Sequence, residues 1–518
     1  MKPTRERTLR KGDYILGSFL KPERVDGYIN AVNPGDRADV LGRYPFSAAS
    51  VDDAVAAARE GLGRWRRASI GDRVTGVRRF VDQLGEHAVP LAALVVRESG
   101  KPLWEARQEV QAAHRAIELS LDEVPGSLAP RALPDVDGRA DWLGRGVVAL
   151  VTAAPMSVFH AASASAAALL SGNAVVHKPS KFAPAVGQAL AELWDRCKLP
   201  RGVFNLVQGS GAVVGQKLAG HPDIDAVCFY GSWERARDIR RLTSERPELP
   251  LLLSCGGKGA AIVLPECELD RTVYELLVGA FLTTGQRPNS TARVFIHTAV
   301  YDALVPELVR RARRLVVGYG AEPDAFMGPL VSEAARTRYR KYGAGLTQRG
   351  HTALLPAELV EIQGRRGNYA SPAVYAVDPE ADPAGLTEEP PGPMLLLYRC
   401  RDLAEAIELH ERCAYRVATS VFARPDDPAI GELRVRLRTG ALNVNRSTLG
   451  ASLRLPSSGS GRASNGVPSG PELLRVLATP RSGLIDLAPF DTDNLVPGVR
   501  WTTTPSPQPG ATLETTIE

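Results

Sequence analysis

Between positions 147 and 263 the chain alternates short apolar runs rich in β-branched residues (147–152, 174–177, 203–207, 226–230 and 251–253) with longer helical intervals. Strands that alternate with helices and are joined by Gly, Pro or Ser turns predict a parallel sheet with helices on both faces. Ligands of such sheets sit at the carboxyl ends of the strands. A second α/β block starts near Ala260 with a further strand, a helix, a loop at Gln286, the strand 293–297 and the helix 301–315. Upstream, 51–124 reads as mostly helical, interrupted by Glu98-Ser-Gly-Lys-Pro102. A chain of 518 residues exceeds what a single core supports, so two or three lobes are expected.

Charge and cysteine usage exclude several function classes. The net charge of +5 comes from 63 basic and 58 acidic residues interleaved along the chain, which gives no basic face for nucleic acid or a membrane surface. The six cysteines are scattered, with no Cys-x-x-Cys pair and no His at metal-ligand spacing, so buried thiols in a reducing compartment are expected. Residues 146–176 are nearly uncharged and long enough to span a bilayer. Pro155 and the Gly172-Asn173 stop divide them into strand, small-residue helix and strand. No apolar run of signal-peptide length follows the basic first residues, and the expected location is the cytoplasm. From Thr502 the chain is Thr, Pro and Ser, which predicts a flexible tail.

The segment Phe281-Leu-Thr-Thr-Gly-Gln-Arg-Pro-Asn-Ser-Thr-Ala-Arg293 carries the chemistry. It resembles the reactive loop of aldehyde dehydrogenases, in which Gly-Gln-x-Cys presents the thiol that attacks the aldehyde. Gly285, Gln286 and Arg293 match, and Pro288 stands where the Cys would be. A proline ring has no nucleophilic atom, so no thiohemiacetal forms there. Two more positions depart from the family pattern. The general-base Glu of Glu-Leu-Gly-Gly-Lys corresponds to Ser254 in Leu253-Ser-Cys-Gly-Gly-Lys258, and the oxyanion-binding Asn corresponds to Pro155. Loss of such a base commonly costs ~10²- to 10⁴-fold, and loss of one oxyanion donor ~10²- to 10³-fold. Cys255 and Ser290 are the available substitutes. Alternation along a strand turns Cys255 away from the side of Ser254, and no base in the loop activates Ser290.

The resemblance spans most of the chain, and Glu98-Ser-Gly-Lys-Pro-Leu-Trp-Glu105 with Gln286-Arg287 is most similar to the succinylglutamate semialdehyde dehydrogenase branch. It implies an α/β fold with two Rossmann-type parallel-sheet lobes and a bridging oligomerisation hairpin. By this likeness 1–122 with 146–254 forms a dinucleotide-binding lobe, 255–446 a catalytic-type lobe, and 123–145 with 470–500 a bridging segment, before the tail 501–518. Cofactor contacts implied are Lys178, Ser180 and Lys181 at the adenosine ribose, Gly231 and Ser232 at the pyrophosphate, and Glu389 at the nicotinamide ribose. A glutamate often follows Lys-Pro-Ser in the family. Lys181 in its place either favours NADP over NAD or is a solvated lysine beside a vacated pocket. Trp233, Ala236 and Pro391 also depart from the family at this site.

Two function classes follow. One is a protein that has lost aldehyde oxidation and acts as a structural, regulatory or nucleotide-binding member of the fold. The other is an NAD(P)-dependent semialdehyde or aldehyde dehydrogenase with a rearranged site that uses Cys255 or Ser290. A homo-oligomer, or a hetero-oligomer with an active relative, is expected in either case.

Overall fold

The computed structural model describes residues 11–133, 138–486, 489–499 and 501; the readings that fall on the first ten residues and on 502–518 lie outside these. The chain divides into a large unit (through Ala129, then Trp142–Pro480) and a small one (Pro130–Asp141 and from Arg481 onward).

The large unit contains two seven-stranded sheets. The first runs in the order Leu251–Ser254, Ala226–Tyr230, Val147–Val151, Ala174–Lys178, Phe204–Leu206, Asp13–Ile15, Ser18–Leu20. The first five of these strands are parallel, as the alternation predicts. Two short N-terminal strands add an antiparallel edge that the apolar pattern did not signal. Val147–Val151 and Ala174–Lys178 are buried at every position, the mark of strands covered on both faces. The second sheet, Thr352–Leu355, Ala373–Ala376, Met394–Cys400, Thr291–His297, Gly259–Val263, Thr419–Phe422, Leu442–Val444, is parallel except at its first strand.

The helices follow from local chemistry. Ile70–Glu86 begins with a capping box between Ser69 and Asp72. Ala88–Ser99 stops where Gly100 takes φ +79, a left-handed C-terminal cap. The small-residue helix Ser157–Leu170 packs against the long helix Leu103–Leu128 and is buried along almost its whole length, so 146–176 is core and not a span. No helix of the described residues is long and apolar enough to cross a membrane.

The segment 98–109 ties these pieces together through three buried carboxylates. Glu98 accepts the amides of Ala185 and Val186, both at 2.7 Å, at the start of Pro184–Arg196. Glu109 accepts Val158 N–H at 2.8 Å at the start of Ser157–Leu170. Negative charge at a helix N-terminus satisfies orphan donors and complements the dipole. Glu105 reaches the loop at 283–287, described below.

Arg131–Leu133 and Gly138–Gly144 pair as an antiparallel hairpin, the strand expected around Trp142. With Ala478–Leu484 they form a three-stranded sheet.

Candidate active site

Strands Ala226–Tyr230 and Leu251–Ser254 run side by side and end together, with Tyr230 paired to Ser254. Against this end lie the start of the helix Ser157–Leu170 and the loop 286–290. These elements, with 448–473, enclose a cavity of about 470 Å³. Ser254 and Pro288 both line it, as do Met156, His160, Tyr230 and Arg287. The two central sequence positions therefore meet in one chamber.

Pro288 approaches the strand end closely. A Cβ built on Gly256 would lie 2.8 Å from the Pro288 Cβ, and Gly256 has φ +68, so only glycine fits beneath the ring. The Pro288 carbonyl accepts Lys258 N–H at 2.9 Å. Proline also lacks a backbone N–H, so this loop position offers neither a nucleophile nor an amide donor to an oxyanion. Pro155 sits in the turn before Ser157–Leu170 without a side-chain donor; its neighbour Met156, and not Pro155 itself, lines the chamber.

Cys255 faces the other way. It is 4 % exposed and belongs to the apolar cluster that includes Leu253, Phe229 and Val227. Burial pushes its thiol up to about 12. Strand alternation thus placed it correctly. Ser290 is fully buried and its Oγ has no hydrogen-bond partner. Its carbonyl accepts Gly259 N–H and its amide donates to Arg287. Ser290 is a packed turn residue.

The loop is held by groups that the sequence marked only as a family likeness. Thr283, Thr284 and Gly285 have φ of 54, 56 and 63, a strained left-handed run in two threonines. Glu105, fully buried, secures it: it accepts Thr283 N–H at 3.2 Å and Arg287 Nη2 at 2.9 Å and hydrogen-bonds the Thr283 hydroxyl. Burial raises its pKa, but Lys101, 3.9 Å away, and Arg287 outweigh that and hold the carboxyl below the usual carboxylate range. Lys101 also pairs with Glu109, so two cations and two anions balance in this interior. Gln286 brackets the same loop, accepting Val331 N–H at 2.9 Å and donating to the Thr283 carbonyl at 3.1 Å.

Of the expected dinucleotide contacts, Lys178, Ser180, Lys181, Gly231 and Ser232 lie at the carboxyl ends of strands of the first sheet, and Glu389 precedes the strand Met394–Cys400 of the second. Lys178 is 2 % exposed, donates to Gly209 O at 3.1 Å and to Pro179 O, and burial pulls its amine down to about 7. Lys181 is exposed, with Nζ 5.0 Å from the Phe182 ring centre. The Ser180 hydroxyl accepts Phe182 N–H at 3.2 Å. At Gly231 a Cβ would meet the Phe229 ring at 2.4 Å. Ser232 begins the ten-residue helix Trp233–Leu242 and makes no side-chain cap, which leaves the first amides uncommitted. Trp233 packs partly onto the apolar cluster beneath. Glu389 is exposed, yet the protein around its carboxyl desolvates it enough to raise the pKa, opposed by Lys258. Lys258, buried, donates to Gly392 O at 2.5 Å and is pulled down to about 7 by burial. A buried lysine, a tight glycine turn into an uncapped helix and an exposed carboxylate have the chemistry that suits a dinucleotide's ribose and phosphate groups.

His160 went unnoticed in the sequence. Its ring stacks on Tyr230, with centroids 4.2 Å apart and planes 14° apart, and its Nδ1 is buried without a partner. A lone imidazole in an otherwise apolar, small-residue helix was the available signal. Among the described residues no group of His, Cys, Asp and Glu is arranged to hold a metal ion.

Comparison with known proteins agrees with this geometry. The aldehyde dehydrogenase family model matches residues 19–481. N-succinylglutamate 5-semialdehyde dehydrogenase of Paraburkholderia xenovorans (strain LB400) is 33 % identical over 442 residues, 84 % of this chain and 89 % of the relative. Its counterpart in Burkholderia mallei (strain SAVP1) is 32 % identical over 475 residues, 90 % and 96 % of the two chains. Among solved structures, lactaldehyde dehydrogenase from Escherichia coli superposes with a TM-score of 0.85 at 26 % identity, covering 92 % of this chain and 99 % of that one. An NAD-dependent aldehyde dehydrogenase from Sinorhizobium meliloti gives 0.87 at 26 % identity, covering 94 % and 96 %. Sheet order, site position and these likenesses agree: the chain belongs to the aldehyde dehydrogenase family.

Proposed function

We propose that this family member has lost aldehyde oxidation by the covalent route and acts as a binding protein, structural or regulatory, that retains a dinucleotide site. The observation that carries the reading is Pro288 at the wall of the chamber, where attack on an aldehyde requires a thiolate. Ser254 beside it has no proton affinity suited to a general base near neutral pH, and Pro155 supplies no oxyanion donor. Cys255 does not substitute, because its sulfur packs in the core with its thiol pKa raised to about 12. Ser290 does not either, because its hydroxyl is buried without a base.

Lys178, Ser180 and the amides after Ser232 would hold the adenosine and pyrophosphate portions of NADP or NAD, and Glu389 the second ribose. A bound nicotinamide supplies a hydride acceptor, and in this chain no residue in the chamber generates the hydride donor. Lys181 at the rim provides a cation for a 2′-phosphate, which favours NADP. We assign the protein to the cytoplasm as an oligomer whose subunits pair through the hairpin Arg131–Leu133 and Gly138–Gly144.

The test is NAD(P)H formation by the purified protein with a panel of semialdehydes and aliphatic aldehydes, alongside a melting-shift titration with NADP⁺ and NAD⁺. Nucleotide stabilisation without turnover supports the reading; sustained turnover sinks it. A second reading, a working NAD(P)-dependent semialdehyde dehydrogenase, is favoured by the enzymes named among the relatives. It requires a nucleophile other than those named above.

A further inference from the structure

The chamber's lining has a chemistry of its own. Arg287 is the only charged side chain among its described lining residues, and it is already engaged: Nε donates to the Thr283 hydroxyl at 2.7 Å and Nη2 to Glu105 at 2.9 Å. Behind it Lys101 is paired with Glu109, so each of these cations is already balanced by a buried carboxylate. Apolar side chains in the lining include Phe159, Leu252, Leu253, Leu453, Val467 and Leu473, and polar ones include His160, Ser163, Ser254, Asn289, Ser457 and Ser458. Four of the polar ones already have partners: Ser163 the Phe159 carbonyl, Asn289 the Thr448 carbonyl, Ser457 the Ser469 hydroxyl and Ser458 the Val467 carbonyl.

His160 stands out among these polar side chains. Burial, with the Lys101 charge behind it, pushes the imidazole down to about 3, so the ring is neutral and carries one donor and one acceptor nitrogen. Stacking on Tyr230 fixes its plane. Its Nδ1 is shut off from solvent and from the chamber without a partner, so a ligand group that hydrogen-bonds this imidazole does so through Nε2. The volume, about 470 Å³, lies in the range of small-molecule pockets.

We infer that this chamber binds a small uncharged molecule with a hydrogen-bonding head and an apolar body, and that His160 reads the head. Anionic dicarboxylic semialdehydes are disfavoured, since a carboxylate would be desolvated here beside a cation whose charge Glu105 already neutralises. The inference concerns the cavity of the proposed function but does not rest on the absence of turnover, because its readout is equilibrium binding without cofactor.

The test compares hexanamide with its near-isosteric anion hexanoate, and with glutarate, by melting shift and calorimetry on the full-length protein. Hexanamide should stabilise saturably and bind roughly tenfold or more tighter than either anion. His160→Phe, which keeps an aromatic face on Tyr230, should weaken hexanamide by about tenfold. Ala112→Trp, which fills the chamber from the helix Leu103–Leu128, should abolish binding even if the first variant folds poorly. Equal or tighter binding of hexanoate or glutarate would overturn the inference. So would failure of hexanamide to bind, or hexanamide binding unchanged by both substitutions. NADPH formation from an aldehyde would refute the proposed function and leave this inference standing, whereas a preference for the anions would do the reverse.

Discussion

Alkylation of Cys255 is the sharpest discriminator between a silent fold and a rearranged enzyme. Its thiol is pushed up to about 12 by burial, with the Glu234 charge adding to the shift. At pH 8 the thiolate fraction is then ~10⁻⁴, against ~0.2 for an unperturbed cysteine of pKa about 8.5, so reactivity falls about 2,000-fold from ionisation alone. Packing among Val227, Phe229 and Leu253 slows access further. Iodoacetamide labelling of the folded protein at pH 8, mapped by peptide mass spectrometry against free glutathione, gives the rate. Cys267, the only half-buried cysteine of the six, should label first, and Cys255 should stay unmodified until the protein unfolds. The Cys255 rate, if measurable, should rise about tenfold per pH unit up to its pKa. Labelling of Cys255 at a rate near that of glutathione would mean the sulfur is exposed and ionised, and the reasoning from strand alternation and burial would fail.

Other perturbations test the supporting structure. Glu105→Gln leaves Arg287 and Lys101 short of one buried counter-charge and should destabilise by ~3–5 kcal/mol, read by urea unfolding; Glu105→Gln with Arg287→Met should recover part of that loss. Gly257→Ala forces a Cβ to 1.8 Å from the Tyr415 ring at φ +97, and a cost of ~2–4 kcal/mol is expected from overpacking and backbone strain together. For Lys178 the folded pKa, about 7, lies below the unfolded value, so between pH 7 and 10.5 the folded state holds fewer protons and stability rises with pH. The stability difference between wild type and Lys178→Met should therefore grow by up to about 1.4 kcal/mol per pH unit across that window and stay flat below it; a difference independent of pH contradicts the buried, neutral amine.

Much of the architecture was legible because burial on both faces leaves a direct mark. Runs such as Val147–Val151 cannot be helices of any length and cannot face water, so their spacing fixes a parallel sheet. The same period-two logic placed Cys255 in the core and Ser254 at the chamber. What escaped is what depends on distant partners. Glu105 meets Thr283 and Arg287 across 178 and 182 residues, and His160 meets Tyr230 across two intervening strands and the helices between them; no local pattern announces either. The N-terminal strands Asp13–Ile15 and Ser18–Leu20 are three residues each, too short for periodicity to register. The Glu98–Glu105 segment was noticed as a likeness, while its physical role, carboxylates that hold helix starts and a strained loop, became visible only when the chain was folded.

The central claim is that no group in the chamber can bond covalently to an aldehyde and release a hydride. Mixing concentrated protein with NADP⁺ and a semialdehyde under single-turnover conditions, and following NADPH absorbance, measures this directly. The account predicts no burst for the wild-type chain. A burst comparable to the protein concentration would show a competent nucleophile and contradict it.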